Sequence, residues 1–213
     1  MASERVASEG AGQPVLIVVA GPDGSGKTSL ARQMRLSRWV SAGPYIAAES
    51  IARERFGAWD DPQARALAVR EAEAERAGYL EQRVSFGFET LLSTPDKVDF
   101  LRRAKDAGYF VRLFFIGTED PSINVRRVAA RVSQGGDAVA EEKIRHRYYR
   151  SQANLIEAAG WADRSYVFDN SVDDAPAALM FRLHGGRIEA SYTERAVFWA
   201  RLVMFQRLIG LCS

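Results

Sequence analysis

The sequence predicts an α/β fold: a three-layer αβα sandwich on a mainly parallel, five-stranded sheet, with a helical lid and a C-terminal hairpin plus helix. Three observations predict it. Strand-like and helix-like runs alternate along the 213 residues, with no repeat or low-complexity linker dividing them. The apolar run Val15-Leu16-Ile17-Val18-Val19 is short and unbroken, as in a parallel strand buried on both faces. It leads into Gly21-Pro22-Asp23-Gly24-Ser25-Gly26-Lys27-Thr28, which fits G-x-x-x-x-G-K-[ST], the phosphate-binding loop (P-loop) that joins a strand to a helix. At this length one domain can bury a sizeable core. We expect it over 14–213, after a flexible tail over 1–13, with the lid over 119–150 and a C-terminal extension over 173–213.

The strands are expected near 15–19, 44–47, 84–88, 110–116 and 165–168. The helices are expected near 27–37, 49–56, 62–82, 96–107, 119–133, 138–158 and 194–209. Ser29-Leu30-Ala31-Arg32-Gln33-Met34 reads as the opening of the first helix. Helix 62–82 is rich in Ala, Glu and Arg, and Asp61-Pro62 suits its N-cap and first position. Helix 96–107 follows Thr94-Pro95 and stops at Gly108. Residues 177–192 read as a hairpin turning at His184-Gly185-Gly186. The last helix is apolar on most faces, with Phe198, Trp199, Leu202, Phe205 and Ile209, and is interrupted by Arg195, Arg201 and Arg207. Packing on the sheet is its simplest role; a dimer surface or interfacial membrane contact is the alternative.

Composition narrows the chemistry. The 29 basic and 27 acidic residues leave +2, which argues neither for nor against a polyanionic partner. Tyr148 and Tyr149 among basic residues could suit RNA, but the balanced charge argues against it, and no nucleic-acid partner is expected. Cys212 is the one cysteine, so no intrachain disulfide forms, and His146 and His184 make no metal-spaced cluster. Residues 1–13 are polar and small, unlike a signal peptide, and no apolar run is long enough for a membrane span. The expected setting is cytoplasmic.

The loop itself predicts ATP and Mg2+ as cofactors. Its glycines let successive N–H groups point inward at a helix N-terminus. Lys27 can reach the β- and γ-phosphates, and the Thr28 hydroxyl can ligate Mg2+. Gly21, Asp23, Gly24, Ser25, Gly26, Lys27, Thr28 and Ser29 are thus the candidate nucleotide-binding residues. Ligands of open α/β sheets lie beyond the carboxyl ends of strands. Glu49 follows the second strand, and Glu89 and Thr90 follow the third; the glutamates are candidates to accept a proton from, or to hold, an acceptor hydroxyl. A helix–Gly135-Gly136–helix unit dense in arginine follows, suited to closing over phosphates. Arg127 and Arg131, four apart, are its strongest candidates, with Arg147 next. The reading is an ATP-dependent phosphotransferase with a small-molecule hydroxyl acceptor. The alternatives are an ATP-binding switch and a non-catalytic P-loop interaction protein. Asn-Lys-x-Asp is absent, and the strand at 110–116 ends in Ile116-Gly117 where a switch ATPase would carry an acidic residue.

Over 15–171 the chain resembles the zeta-toxin family of P-loop kinases. The matches, in order, are Gly24-Ser25-Gly26-Lys27-Thr28, Ala48-Glu49-Ser50, Phe88-Glu89-Thr90, Arg127-Val128 with Arg131-Val132, Gly135-Gly136, Arg147-Tyr148, Asn154-Leu155 and Asp169-Asn170-Ser171. The resemblance implies phosphorylation of the 3′-hydroxyl of the amino sugar in UDP-N-acetylglucosamine, using ATP and Mg2+. It implies that Lys27 and Thr28 hold nucleotide and metal, and that Glu49 takes the place of the Asp that activates the acceptor. Glu89 and Thr90 would contact the sugar nucleotide, and Arg127 and Arg131 would bridge donor and acceptor phosphates. An antitoxin or a second copy of the chain is a candidate partner. Two positions depart from the family: Glu49 replaces its usual Asp, and Asp137 stands where it commonly has His.

Overall fold

The computed structural model describes residues 12–36, 43–57, 61–193 and 199–200. Five parallel strands form the sheet's centre: β1 (Val15–Ala20), β2 (Tyr45–Ile46), β3 (Phe86–Thr90), β4 (Phe110–Gly117) and β5 (Arg164–Asp169). The expected hairpin, β6 (Ala178–His184) and β7 (Arg187–Ser191), adds two antiparallel strands to the same sheet rather than standing beside it. The order is β2-β3-β1-β4-β5-β6-β7. The hairpin joins because β6 pairs along β5 from Arg164↔His184 to Asp169↔Ala178. A five-stranded reading therefore becomes a seven-stranded sheet with a five-stranded parallel core.

Strand alternation divides the core. Leu16, Val18, Ala20, Val111, Leu113 and Phe115 face one layer of helices. That layer contains α3 (Pro62–Gln82), α4 (Pro95–Asp106) and α6 (Glu141–Trp161), which contribute Ala68, Ala72, Leu101, Leu155 and Ala158. Ile17, Val19, Phe114 and Ile116 face the other way, against Leu30 and Ala31 of α1 (Lys27–Leu36). α2 (Ala48–Ile51) runs into a π-helical turn over Ala52–Phe56, and α5 (Pro121–Val132) precedes the Gly135-Gly136 turn.

Local chemistry sets the helix ends. The Asp61 carboxylate accepts from the backbone N–H groups of Gln63 and Ala64, and Pro62 fills the position whose N–H has no helical partner. Asp120 caps α5 in the same way by accepting from Ser122 N–H at 2.7 Å. Gly108, at φ +81, ends the turn after α4. The expected tail over 1–13 lies outside the described residues apart from Gly12 and Gln13. The helix over 194–209 lies outside them apart from Trp199 and Ala200. Trp199 is buried, its ring packs on Phe115, and a Cβ on Gly117 would meet that ring at 2.7 Å. Among the described residues, no helix is long and apolar enough to cross a membrane.

Because β1 lies between β3 and β4, the chain turns to opposite sides of β1 after the loop and again after α4. A crevice thus opens at the carboxyl end of β1, as such switch points dictate. The P-loop occupies that end.

Candidate active site

The loop is held by backbone fit on one side and by two asparagines on the other. Gly21, at φ +148, passes so close to β4 that a Cβ would lie 2.1 Å from the Ile116 carbonyl oxygen. Gly24, at φ +70, rests on α5, where a Cβ would meet the Asn124 carbonyl oxygen at 2.8 Å. The Asn124 amide donates to the Asp23 carbonyl, and the Asn170 amide donates to the Ser25 carbonyl at 2.9 Å. Ser25 is fully buried, backbone included. Asn170 belongs to the Asp169-Asn170-Ser171 run; Asn124 is a support that sequence reading missed. Its one sequence clue is a polar residue on the face of α5 that also carries buried Val128.

Lys27 opens α1 and folds its ammonium back onto the Pro22 carbonyl at 2.7 Å. Burial pushes its pKa down to about 8; Asp23 and Glu89 pull it up, and Arg131 and Arg147 push it further down. The Thr28 hydroxyl donates to Glu89 Oε2 at 3.1 Å. Glu89 and Thr90 lie within β3 rather than after it. In place of an acidic residue at the end of 110–116, the carboxylate comes from the strand on the other side of β1: β3 pairs with β1 through Val19↔Glu89, which brings the carboxylate to Thr28. Burial holds the Glu89 carboxyl above the usual range, Lys27, Thr28 and Tyr45 oppose the shift, and Glu49 adds to it. A P-loop hydroxyl beside a strand-end carboxylate is a donor set suited to Mg2+ and its waters. Thr90 uses its hydroxyl differently, accepting from Leu92 N–H at 3.1 Å within a turn.

Among the described residues, three cavities meet at the loop. One, of about 800 Å³, is walled by Asp23, Lys27, Thr28, Glu49, Glu89 and Arg131, together with Thr90 and Arg147. A second, of about 870 Å³, lies under the Gly135-Gly136 turn and shares Lys27, Thr28, Glu49 and Arg131 with the first. A third, of about 650 Å³, lies on the other side of Gly24 and Gly26, walled by Ser29, Arg126, Arg127 and Asn170. The expected residues are thus gathered around one loop, with one division. Arg131 reaches the first two cavities. Arg127 is turned to the third, donating to Asn170 O and to Asp173, each at 2.8 Å. One turn of α5 separates the two arginines by about 6 Å along the axis. They span the loop from end to end and do not converge on the Glu49 cavity.

The carboxylates differ in setting. Glu49 stands in the first turn of α2, half-exposed, 2.6 Å from Arg53. Asp23 accepts from Arg147 at 3.1 Å, which ties α6 to the loop and offsets the loop's own negative charge. Asp137 meets Arg65 at 2.7 Å.

A family model described as Zeta toxin matches residues 62–173. An uncharacterized protein of Haemophilus influenzae is 30% identical over 136 residues, which is 62% of this chain and 91% of that protein. Among solved structures, the AvrRxo1-ORF1:AvrRxo1-ORF2 complex with sulphate ions matches with a TM-score of 0.61 at 18% identity. That match covers 91% of this chain but spans only 63% of the other. The structure of the PezAT chromosomal toxin–antitoxin system of Streptococcus pneumoniae matches with a TM-score of 0.56 at 14% identity, over 98% of this chain and 91% of that one. At such identities these likenesses establish the fold alone.

Proposed function

This chain belongs to the zeta-toxin family of P-loop kinases, and from that premise we propose that it transfers the γ-phosphoryl group of ATP to a hydroxyl of a nucleotide sugar, UDP-N-acetylglucosamine being the first to test. ATP-dependent phosphotransfer is the family's general chemistry; the acceptor and the residue roles are our reading. The observation that carries it is a single cavity joining Lys27 and Thr28 to Glu49 and Glu89. A P-loop that served only as a switch would have no use for a roomy chamber at its γ-phosphate end.

In this reading Lys27 exchanges the Pro22 carbonyl for phosphate oxygens. Arg131 neutralises charge where the phosphoryl group moves, and Arg127 supports the nucleoside end beside the third cavity. Glu49 takes the proton of the acceptor hydroxyl, and Glu89 orients Thr28 and the acceptor. Mg2+, when bound, would offset the charge on the β- and γ-phosphates, with Thr28 and Glu89 as the residues to hold it. The α5–α6 lid would keep water from the transferring group. An antitoxin-type protein partner belongs to the same proposal, by likeness to the PezAT system.

The test is transfer of label from ATP to a panel of UDP-sugars, nucleosides and nucleotides, with Lys27→Ala as the control. ATP binding with no labelled acceptor anywhere in the panel would reject the reading. The Thr28–Glu89 contact also suits a nucleotide switch. Hydrolysis stimulated by a protein and never by a small acceptor would favour that second reading.

A further inference from the structure

The cavity that holds Glu49 and Glu89 also contains a charge pair that the phosphoryl-transfer scheme does not use. Asp137 leaves the Gly135-Gly136 turn and enters the cavity from above. Its side chain is only 8% exposed, and Oδ1 lies 2.7 Å from an Arg65 nitrogen. The turn that delivers it is fixed: Gly136 N–H donates to the Arg131 carbonyl at 2.9 Å, and a Cβ on Gly136 would lie 2.7 Å from Arg131 Cγ. Arg65 stands in the first turn of α3, behind the Asp61 cap. The pair therefore spans from lid to α3 across the cavity, and both residues line it. Glu49–Arg53 is different in kind, since it lies within a single helical stretch.

The Arg65 side chain is 34% exposed, and a half-buried ion pair contributes little net stability, because desolvation and solvent screening offset the attraction. Its place inside a ligand cavity needs another reason. A guanidinium that donates to a carboxylate oxygen can donate equally to a phosphate oxygen in its place. The wall also carries six cations against four carboxylates among the described residues, so the chamber favours an anion. We propose that Arg65 anchors a phosphate or diphosphate group of the acceptor, set apart from the hydroxyl that is phosphorylated, and that Asp137 occupies Arg65 while the cavity is empty. Acceptor binding then exchanges one anion for another at Arg65 and releases the Asp137 carboxylate from it, the turn itself staying in place. Arg65 is a specificity-determining residue in this scheme. The inference rests on reading this chamber as the acceptor site.

The test fills the P-loop with Mg2+ and a non-hydrolysable ATP analogue, then titrates inorganic pyrophosphate by calorimetry. Arg65→Gln weakens pyrophosphate binding about tenfold or more, the loss expected for a charge-assisted fork. Asp137→Asn tightens binding several-fold, because it removes the competing carboxylate. The two variants break the same ion pair, so a pair that merely tethers the lid would shift both in the same direction. That result would overturn the proposal, as would no pyrophosphate binding to either the wild-type protein or Asp137→Asn. Arg65→Lys, which keeps the charge without the fork, falls between wild type and Arg65→Gln, and thermal melts confirm that each variant is folded. Labelled transfer separates this outcome from failure of the kinase reading: equal KM for UDP-N-acetylglucosamine in wild type and Arg65→Gln rejects the anchor and leaves the kinase intact.

Discussion

Replacing Lys27 by Met should abolish ATP binding and make the empty protein more stable. The drop in the lysine's pKa from 10.5 to about 8 corresponds to about 3 kcal/mol by which the fold disfavours the charged form. The sign follows from proton counts. Between about 8 and 10.5 the unfolded chain binds more protons than the folded one, so stability rises with pH across that window. Below it both states are protonated and the full cost is present. Methionine removes the cost but leaves Asp23 and Glu89 without the cation that both now face, and the variant forfeits the bond to Pro22 O. A net gain of roughly 1–2 kcal/mol remains. For a chain of this size that is about 2–8 °C in Tm. Thermal melts of the ligand-free proteins at pH 7 and near pH 10 measure it: the variant melts higher at pH 7, and the gap narrows at the higher pH. A Lys27→Met protein that melts at or below the wild type at pH 7 would refute the reasoning that the loop holds its lysine at a cost until phosphate arrives.

Three further outcomes follow from the geometry. ATP affinity of the free enzyme should fall as pH rises above about 8, by up to about tenfold per pH unit, because Lys27 loses its proton there; calorimetric titrations from pH 7 to 9.5 would show it, and a flat profile would contradict it. Glu49→Gln should lower kcat by about 10²-fold or more with ATP affinity unchanged, whereas Glu89→Gln, which alters the Thr28 contact, should weaken Mg2+-dependent ATP binding as well; steady-state kinetics beside calorimetry distinguish them. Gly21→Ala should cost about 1–3 kcal/mol and most of the ATP affinity, because the new methyl would strike the Ile116 carbonyl and shift the loop; thermal melts and ATP titration read both effects.

Much of this was legible in the sequence because it depends on local spacing. Val15–Ala20, the glycines after it and Lys27-Thr28 specify strand, anion nest and helix within a few residues. Asp61-Pro62 marks the start of α3 for the same reason. What could not be read depends on pairing over long separations. Glu89 meets Thr28 only because β3 lies beside β1, 61 residues away in the chain. Asn124 meets Asp23 across 101 residues, and nothing in α5 alone marks it as a support for the loop. The spacing of Arg127 and Arg131 correctly placed both on one stretch of helix. It could not say that Gly24 rests on that helix, so that the two guanidiniums reach different cavities. In the sequence Asp137 is only a departure from the family's common His, and its partner Arg65 is visible only once α3 and the Gly135-Gly136 turn face each other.

A crystal structure with Mg2+ and a non-hydrolysable ATP analogue tests the central claim most directly. The account predicts the terminal phosphate within hydrogen-bonding distance of Lys27 Nζ, directed into the chamber shared by Glu49 and Glu89, with the nucleoside beside Arg127. A loop left empty, or an analogue whose terminal phosphate points away from that chamber, would contradict it.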